Sequence, residues 1–344
     1  MLPFSWLHGL VLRGRHALYD LNLFRSFHPE VRTIVVGNLA LGGTGKTPHV
    51  ELVLDLLKDS KGPVCTLSRG YGRRSRGFHE VRANDTAART GDEPLQIKRA
   101  HPHVRVFVDA DRVKGIARIR SLVPDVKVVV LDDALQHRRL RPDLSLLLTT
   151  WQRPYSTDLL FPAGRLRDLP SRARVAQAVI VTKCPATPSP EEQKAWRAQL
   201  RLEDHQELYF STSEQESPRV IQNGGQEDRL TDHGTNALIF TGIADPAPLV
   251  AHARTLWGKV EHVAFPDHHA FTPADLRLLA ARYANFAAGP CTLVTTPKDA
   301  ARLASLLPGS PLADLPLLVI GVKARILNEP QRFATLIAKH AGTD

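Results

Sequence analysis

Between Arg32 and Ser213 the chain repeats one pattern, a short run of β-branched and other apolar residues followed by a longer polar stretch compatible with a helix. The runs are Thr33–Val36, Val64–Leu67, Val104–Val108, Lys127–Leu131, Leu144–Leu148 and Ala178–Thr182. Strict polar/apolar alternation marks a strand with one wet face, whereas near-continuous apolar runs mark strands covered on both faces. The pattern therefore predicts an α/β unit with a mostly parallel sheet between helices. From Glu214 to Asp232 the sequence turns polar, and Asn223-Gly224-Gly225 predicts a hairpin between two short strands. A shorter α/β pattern follows, with Ala237–Thr241, His262–Phe265, Cys291–Thr295 and Leu317–Ile320 as its strands.

These breaks divide the 344 residues into an N-terminal helical segment (1–27), a larger α/β domain (28–213), a hairpin linker (214–232) and a smaller α/β domain (233–344). In the N-terminal segment Phe4, Trp6, Leu7, Leu10, Val11, Leu18, Leu21 and Phe24 interleave with Arg13, Arg15 and His16. That mixture suits a helix lying in a bilayer interface, and equally a helix packed on the protein's own core. No apolar run reaches the roughly 18 residues a membrane-crossing helix needs, and no signal-peptide cleavage pattern is present.

Charge narrows the partners only to anions: a net charge of +10 suits nucleotide, phospholipid surface or nucleic acid alike. Cys65, Cys184 and Cys291 are far apart and odd in number, which argues against a disulfide framework or zinc site and for a reducing, cytoplasm-facing location.

The strongest chemical signal is Gly42-Gly43-Thr44-Gly45-Lys46-Thr47, placed between the strand Thr33–Val36 and a helical stretch from Pro48. Glycines let backbone N–H groups turn toward phosphate oxygens, Lys46 reaches the outer phosphates, and Thr47 offers a hydroxyl to Mg²⁺. Ala40 stands where the strict P-loop pattern has its first glycine, so this is a variant loop. Asp132 and Asp133 end the run Lys127–Leu131, where P-loop proteins place a metal-holding carboxylate; either residue fits. Asp92, in Gly91-Asp92-Glu93-Pro94, and His268, in Pro266-Asp267-His268-His269, are candidates to accept a hydroxyl proton in phosphoryl transfer. His101 and His103, flanking Pro102, read as surface residues. Arg69, Arg112 and Arg167 sit in Gly-containing or acidic segments that suit phosphate grips near a P-loop mouth.

In order, the segments Val36–Pro48, Leu67–Gly72, Gly91–Pro94, Asp109–Arg112, Leu131–Arg138, Pro162–Arg167, Thr241–Ala244, Phe265–His268 and Thr295–Asp299 resemble the tetraacyldisaccharide 4'-kinase family of lipid A synthesis. The resemblance implies two α/β/α sandwich domains, the larger P-loop NTPase-like, joined by a small β linker. It implies transfer of the ATP γ-phosphate, with Mg²⁺, to the 4'-hydroxyl of a lipid disaccharide 1-phosphate. It also implies an Asp–His pair falling on Asp92 and His268, and substrate-phosphate or headgroup contacts falling on Arg69, Arg112, Gln136, His137 and Arg167. The N-terminal helix is implied to dock on the anionic cytoplasmic face of the bacterial inner membrane, with no nucleic acid and no obligate protein partner. The family's loop also lacks the first glycine, so Ala40 is no departure. Pro297 is one, standing where the family commonly has Glu, and Lys298 and Asp299 receive no role. Two other classes remain as alternatives. A P-loop GTPase acting as a cofactor chaperone needs N-K-x-D, and Val181-Thr-Lys-Cys-Pro185 lacks both Asn and Asp; a partition ATPase needs Lys where Leu41 stands.

Overall fold

The computed structural model describes residues 1–220, 236–286 and 291–342. Its strands are β1 (Arg32–Asn38), β2 (Val64–Ser68), β3 (His79–Val81), β4 (Arg105–Val108), β5 (Val128–Asp132), β6 (Leu144–Thr150), β7 (Ala178–Thr182), β8 (Glu207–Gln215), β9 (Arg219–Val220), β10 (Asn236–Thr241), β11 (Lys259–Ala264), β12 (Cys291–Thr295), β13 (Leu317–Val319) and β14 (Val322–Ile326). Its helices are α1 (Leu2–Asp20), α2 (Lys46–Leu56), α3 (Ala87–Thr90), α4 (Asp92–Ala100), α5 (Arg112–Leu122), α6 (Pro190–Gln199), α7 (Ala247–Leu256), α8 (Pro273–Phe286), α9 (Pro297–Leu303) and α10 (Pro330–Ala341).

Nine strands form one sheet in the order β14-β8-β7-β6-β1-β5-β2-β4-β3, parallel except for β3 and β14 at its edges. The continuous apolar runs occupy its centre, as expected for strands covered on both faces. Successive residues point to opposite faces: Ile34 and Val36 join α2 and α10 side chains in one core, while Val35 joins Ile116 and Ile119 of α5 in another. The strand order reverses around β1, and at such a switch point the carboxyl ends of parallel strands leave a crevice for ligands. A second sheet, β11-β10-β12-β13-β9, carries its own cores on both faces, one with α8 and the other with α7.

The boundaries differ from those expected at two places. Residues from Val322 onward leave the smaller unit: β14 pairs antiparallel with β8, and Phe333 and Ile337 of α10 fill the core above β1. There Ile326, Phe333 and Ile337 are buried in the core that Ile34 and Val36 of β1 share with Val50 and Val53 of α2. The larger unit also runs past its expected end at residue 213. β8 runs on to Gln215, β9 pairs with β13, and the chain crosses between units twice, the crossings tied by a Glu216 N–H to Gly321 carbonyl bond of 2.9 Å. Asn223-Gly224-Gly225 lies outside the described residues.

Candidate active site

At the carboxyl end of β1 the chain opens into residues 39–45 and re-enters regular structure as α2. Gly45, immediately before α2, has φ +85°, a left-handed conformation that only glycine adopts without cost and that turns the first N–H groups of the helix outward. Asn38, fully buried at the end of β1, organises the loop. Its Nδ2 donates to Thr44 Oγ1 at 2.7 Å, and its Oδ1 accepts from Lys46 Nζ at 3.5 Å and from Arg167 at 2.5 Å. Two cations thus converge on one amide oxygen beside a ring of exposed glycine backbone, an arrangement that suits phosphate oxygens. Residues 39–41 are clamped by the segment carrying Arg165 and Arg167, through Leu41 N–H to Arg165 carbonyl (2.7 Å) and Arg167 N–H to Leu39 carbonyl (2.8 Å). Gly164 turns this segment so tightly that a Cβ there would collide with the Leu159 carbonyl.

The neighbouring strand β5 delivers Asp132 and Asp133. Asp132 is 3% exposed, its Oδ1 has no hydrogen-bond partner, and burial, with Glu93 and Asp133 nearby, pushes its carboxyl up to about 7. Burial also disfavours charge on Asp133, yet Arg167, Lys46 and Arg112 outweigh it and hold that carboxyl low; Arg167 grips both of its oxygens. Thr47 lies in the first turn of α2. The oxygens of Asp132 and Asp133, one of them buried and unpartnered, and the hydroxyl of Thr47 are hard donors of the kind that suits Mg²⁺ completed by phosphate and water.

Asp92 opens α4 rather than capping it, and meets three side chains of the smaller unit. Arg302 reaches its Oδ2 with Nε at 3.1 Å and with a second guanidinium nitrogen; His268 Nδ1 lies 3.3 Å from the same oxygen and Lys298 Nζ 3.8 Å. Burial works to raise the Asp92 carboxyl, but Lys298, Arg302 and His268 together bring it below its ordinary value. Arg302 is itself fixed by the fully buried Asp299 at 2.8 Å and the Gly242 carbonyl at 2.8 Å. His268 stands in a left-handed turn (φ +59°) with its N–H on the Gly242 carbonyl. Packing of α4 on α9 holds this cluster across the two units.

The other predicted residues fall around the cradle. Gln136 Nε2 donates to the Asn38 carbonyl at 2.8 Å. Arg112 is buried, bonding the Asp109, Ala110 and Asp133 carbonyls, with its Nε unpartnered. His137 is half-buried with Nε2 unpartnered, and burial and Arg112 lower its pKa. Arg69 is exposed, near enough to Arg112 to disfavour its charge. His101 departs from its expected surface position: it is 7% exposed and 3.8 Å from Asp55, because α4 ends against α2. Sequence reasoning missed Asn38 and Arg302 as site residues. The signal for Arg302 was its position four residues after Lys298, which puts both on one face of α9.

Helix α1 packs through a stripe of Ser5, Gly9, Leu12 and His16, of which only Leu12 is a large apolar residue, with His16 Nε2 2.6 Å from buried Asp168. Its apolar side faces out: Trp6 is 75% and Leu10 63% exposed. Among the described residues no helix is long and apolar enough to cross a membrane.

A parallel sheet whose central strand opens into a glycine loop, with carboxylates ending the strand beside it, is the arrangement of the P-loop kinases, and this chain has that class of fold. A family model for tetraacyldisaccharide-1-P 4'-kinase (LpxK) matches residues 1–341, and the chain belongs to that family. It is 39% identical over 357 residues to the tetraacyldisaccharide 4'-kinase of Parabacteroides distasonis, covering 100% of this chain and 94% of the relative. It is 35% identical over 343 residues to that of Flavobacterium johnsoniae, covering 99% and 96%. Among solved structures, the "apo" form of LpxK from Aquifex aeolicus in complex with ATP superposes with a TM-score of 0.75 at 28% identity, covering 98% of each chain.

Proposed function

We propose that the crevice between the two units is where the ATP γ-phosphate passes to the 4'-hydroxyl of tetraacyldisaccharide 1-phosphate, the reaction of the family in lipid A biosynthesis. The observation that carries the reading is the meeting of Asp92, beside the P-loop unit's acidic strand end, with His268, Lys298 and Arg302 of the smaller unit. Backbone N–H groups of residues 42–47 cradle the triphosphate, and Lys46 and Arg167 exchange Asn38 for its oxygens. Thr47, Asp132 and Asp133 would hold Mg²⁺, which when bound neutralises charge on the phosphates. Arg69, Arg112, Gln136 and His137 line the approach for the acceptor's phosphate and headgroup.

Asp92 is kept ionised by its cations, and the same cations make it a weak base. A sugar hydroxyl does not ionise beforehand, so Asp92 accepts a hydrogen bond from it and takes the proton late, as the bond to phosphorus forms; such help is worth about 10²- to 10⁴-fold. His268 orients the carboxylate. Because α9 brings Arg302 and Lys298 from the other unit, the carboxylate is positioned only when the two units are together.

The outward apolar face of α1, with Arg13 and Arg25 beside it, docks the protein on the anionic cytoplasmic face of the inner membrane, where a lipid acceptor is held. The test is transfer of label from γ-labelled ATP to purified disaccharide 1-phosphate. The intact chain labels the lipid, and Lys46→Ala and Thr47→Ala do not while keeping their thermal unfolding. Label released only as free phosphate overturns the reading.

A further inference from the structure

One residue of α2 closes on the phosphate loop from behind and has no part in the chemistry above. His49 is 2% exposed, and its Nδ1 lies 2.7 Å from the Gly45 carbonyl oxygen, while its backbone N–H reaches the same oxygen at 3.2 Å. Its Nε2 is 2.9 Å from the hydroxyl of Ser211, a fully buried residue of β8. A carbonyl oxygen only accepts, so the proton sits on Nδ1; Nε2 is then bare and accepts from the Ser211 hydroxyl. The chain of donors runs in one direction, from Ser211 to His49 to Gly45.

We infer that His49, oriented by Ser211, is a positioning residue that fixes the Gly45–Lys46 peptide for binding the nucleotide's phosphates. The C=O of Gly45 and the N–H of Lys46 share one planar trans peptide and point in opposite directions. Holding the carbonyl down into α2 therefore aims the Lys46 N–H out of the helix start, toward the anion. Gly45 makes the left-handed turn possible, but a glycine is also the residue most free to leave it. The imidazole removes that freedom, and Ser211 anchors the imidazole to a strand rather than to the loop it controls. Ser211 Oγ and the His49 ring lie behind the loop, so neither touches the phosphates.

This inference rests on residues 42–47 being the ATP phosphate cradle and is tested by binding rather than by turnover. A non-hydrolysable ATP analogue is titrated into the full chain by calorimetry. His49→Leu should weaken binding about 10-fold or more, the scale of one lost, well-aimed charge-assisted contact. His49→Gln, whose amide N–H can reach the carbonyl, should recover most of that loss. Ser211→Ala should weaken binding about 3-fold alone and add nothing in the His49→Leu background, as residues acting in series do. A His49→Leu chain binding within twofold of the parent, or additive losses, overturns the inference. If His49→Leu does not fold, the ring-nitrogen shifts of His49 in the parent decide: an Nδ1–H tautomer that becomes mixed in Ser211→Ala supports the relay, and an Nε2–H tautomer overturns it. Failure of the parent to label lipid would sink the kinase reading while leaving this binding comparison to be judged on its own.

Discussion

Two nitrogens of the Arg302 guanidinium meet one carboxylate oxygen of Asp92, joining residues 210 positions apart in the sequence across two separately built sheets. Removing the guanidinium takes away one of the cations that keep Asp92 ionised against its burial. The folded carboxyl pKa is depressed, so it must rise in Arg302→Gln, and Asp92 must then stay protonated to higher pH. The acid limb of the pH–rate profile should move upward, with kcat at neutral pH reduced about 10- to 100-fold. A variant with lowered kcat and an unmoved acid limb would assign Arg302 to packing alone.

Asp92 and His268 should behave as one unit. Asp92→Ala and His268→Ala are each expected to lower kcat greatly, and the double variant little further, because either loss already dismantles the pair. Steady-state kinetics on the three variants check this; losses that multiply would separate the two roles.

The strands were legible where burial is two-sided, because continuous apolar runs have no other comfortable home. The last two strands on one side of the sheet were not: β8, next to the edge, reads Glu207 to Gln215 with polar residues throughout its second half, and the edge strand β14 alternates exposed Lys323 and Arg325 with buried Ala324 and Ile326. That alternation of period two is a strand signal, but it sits among helical patterns in a segment expected to finish the smaller unit. In the site, the glycine loop and acidic strand end announced themselves because few other roles need those residues in that order. Arg302 did not, since an arginine on a helix is ordinarily a solvated one. Its place in the site comes from Asp299 and Gly242, which fix it beside a carboxylate about two hundred residues away in the sequence.

On α1 the exposed face can be changed without disturbing the fold. Leu7→Glu with Leu10→Glu should leave the thermal midpoint within about 1–2 °C, because single exposed positions contribute little to stability. The same pair should sharply reduce co-sedimentation with vesicles containing anionic phospholipid. Unchanged sedimentation would move the membrane contact to another surface.

Glu51, on α2, gives a pH signature in stability. Burial, together with the charges of Glu216 and Asp55, raises its carboxyl from 4.5 to about 7, against a stabilising hydrogen bond from Gln96. The folded pKa is the higher one, so the folded state holds a proton that the unfolded chain has lost, and stability falls as pH rises from about 4.5 through about 7. Glu51→Gln keeps the acceptor oxygen and removes the titration. It should be more stable than the parent by roughly 1–3 kcal/mol at pH 8 and nearly equal at pH 4. Parallel denaturation curves across that range would show that Glu51 does not carry the effect.

The return of β14 and α10 to the larger sheet has a consequence for how the chain is made. The ribosome releases β1, the glycine loop and α2 early, but the helix that covers β1 is translated only after every residue of the smaller unit. Through that interval one face of the central strand lacks part of its apolar cover, a state in which exposed strands are open to mispairing. The core above β1 thus closes only after Lys298 and Arg302 have been synthesised, so the larger sheet completes its packing no earlier than the residues that meet Asp92.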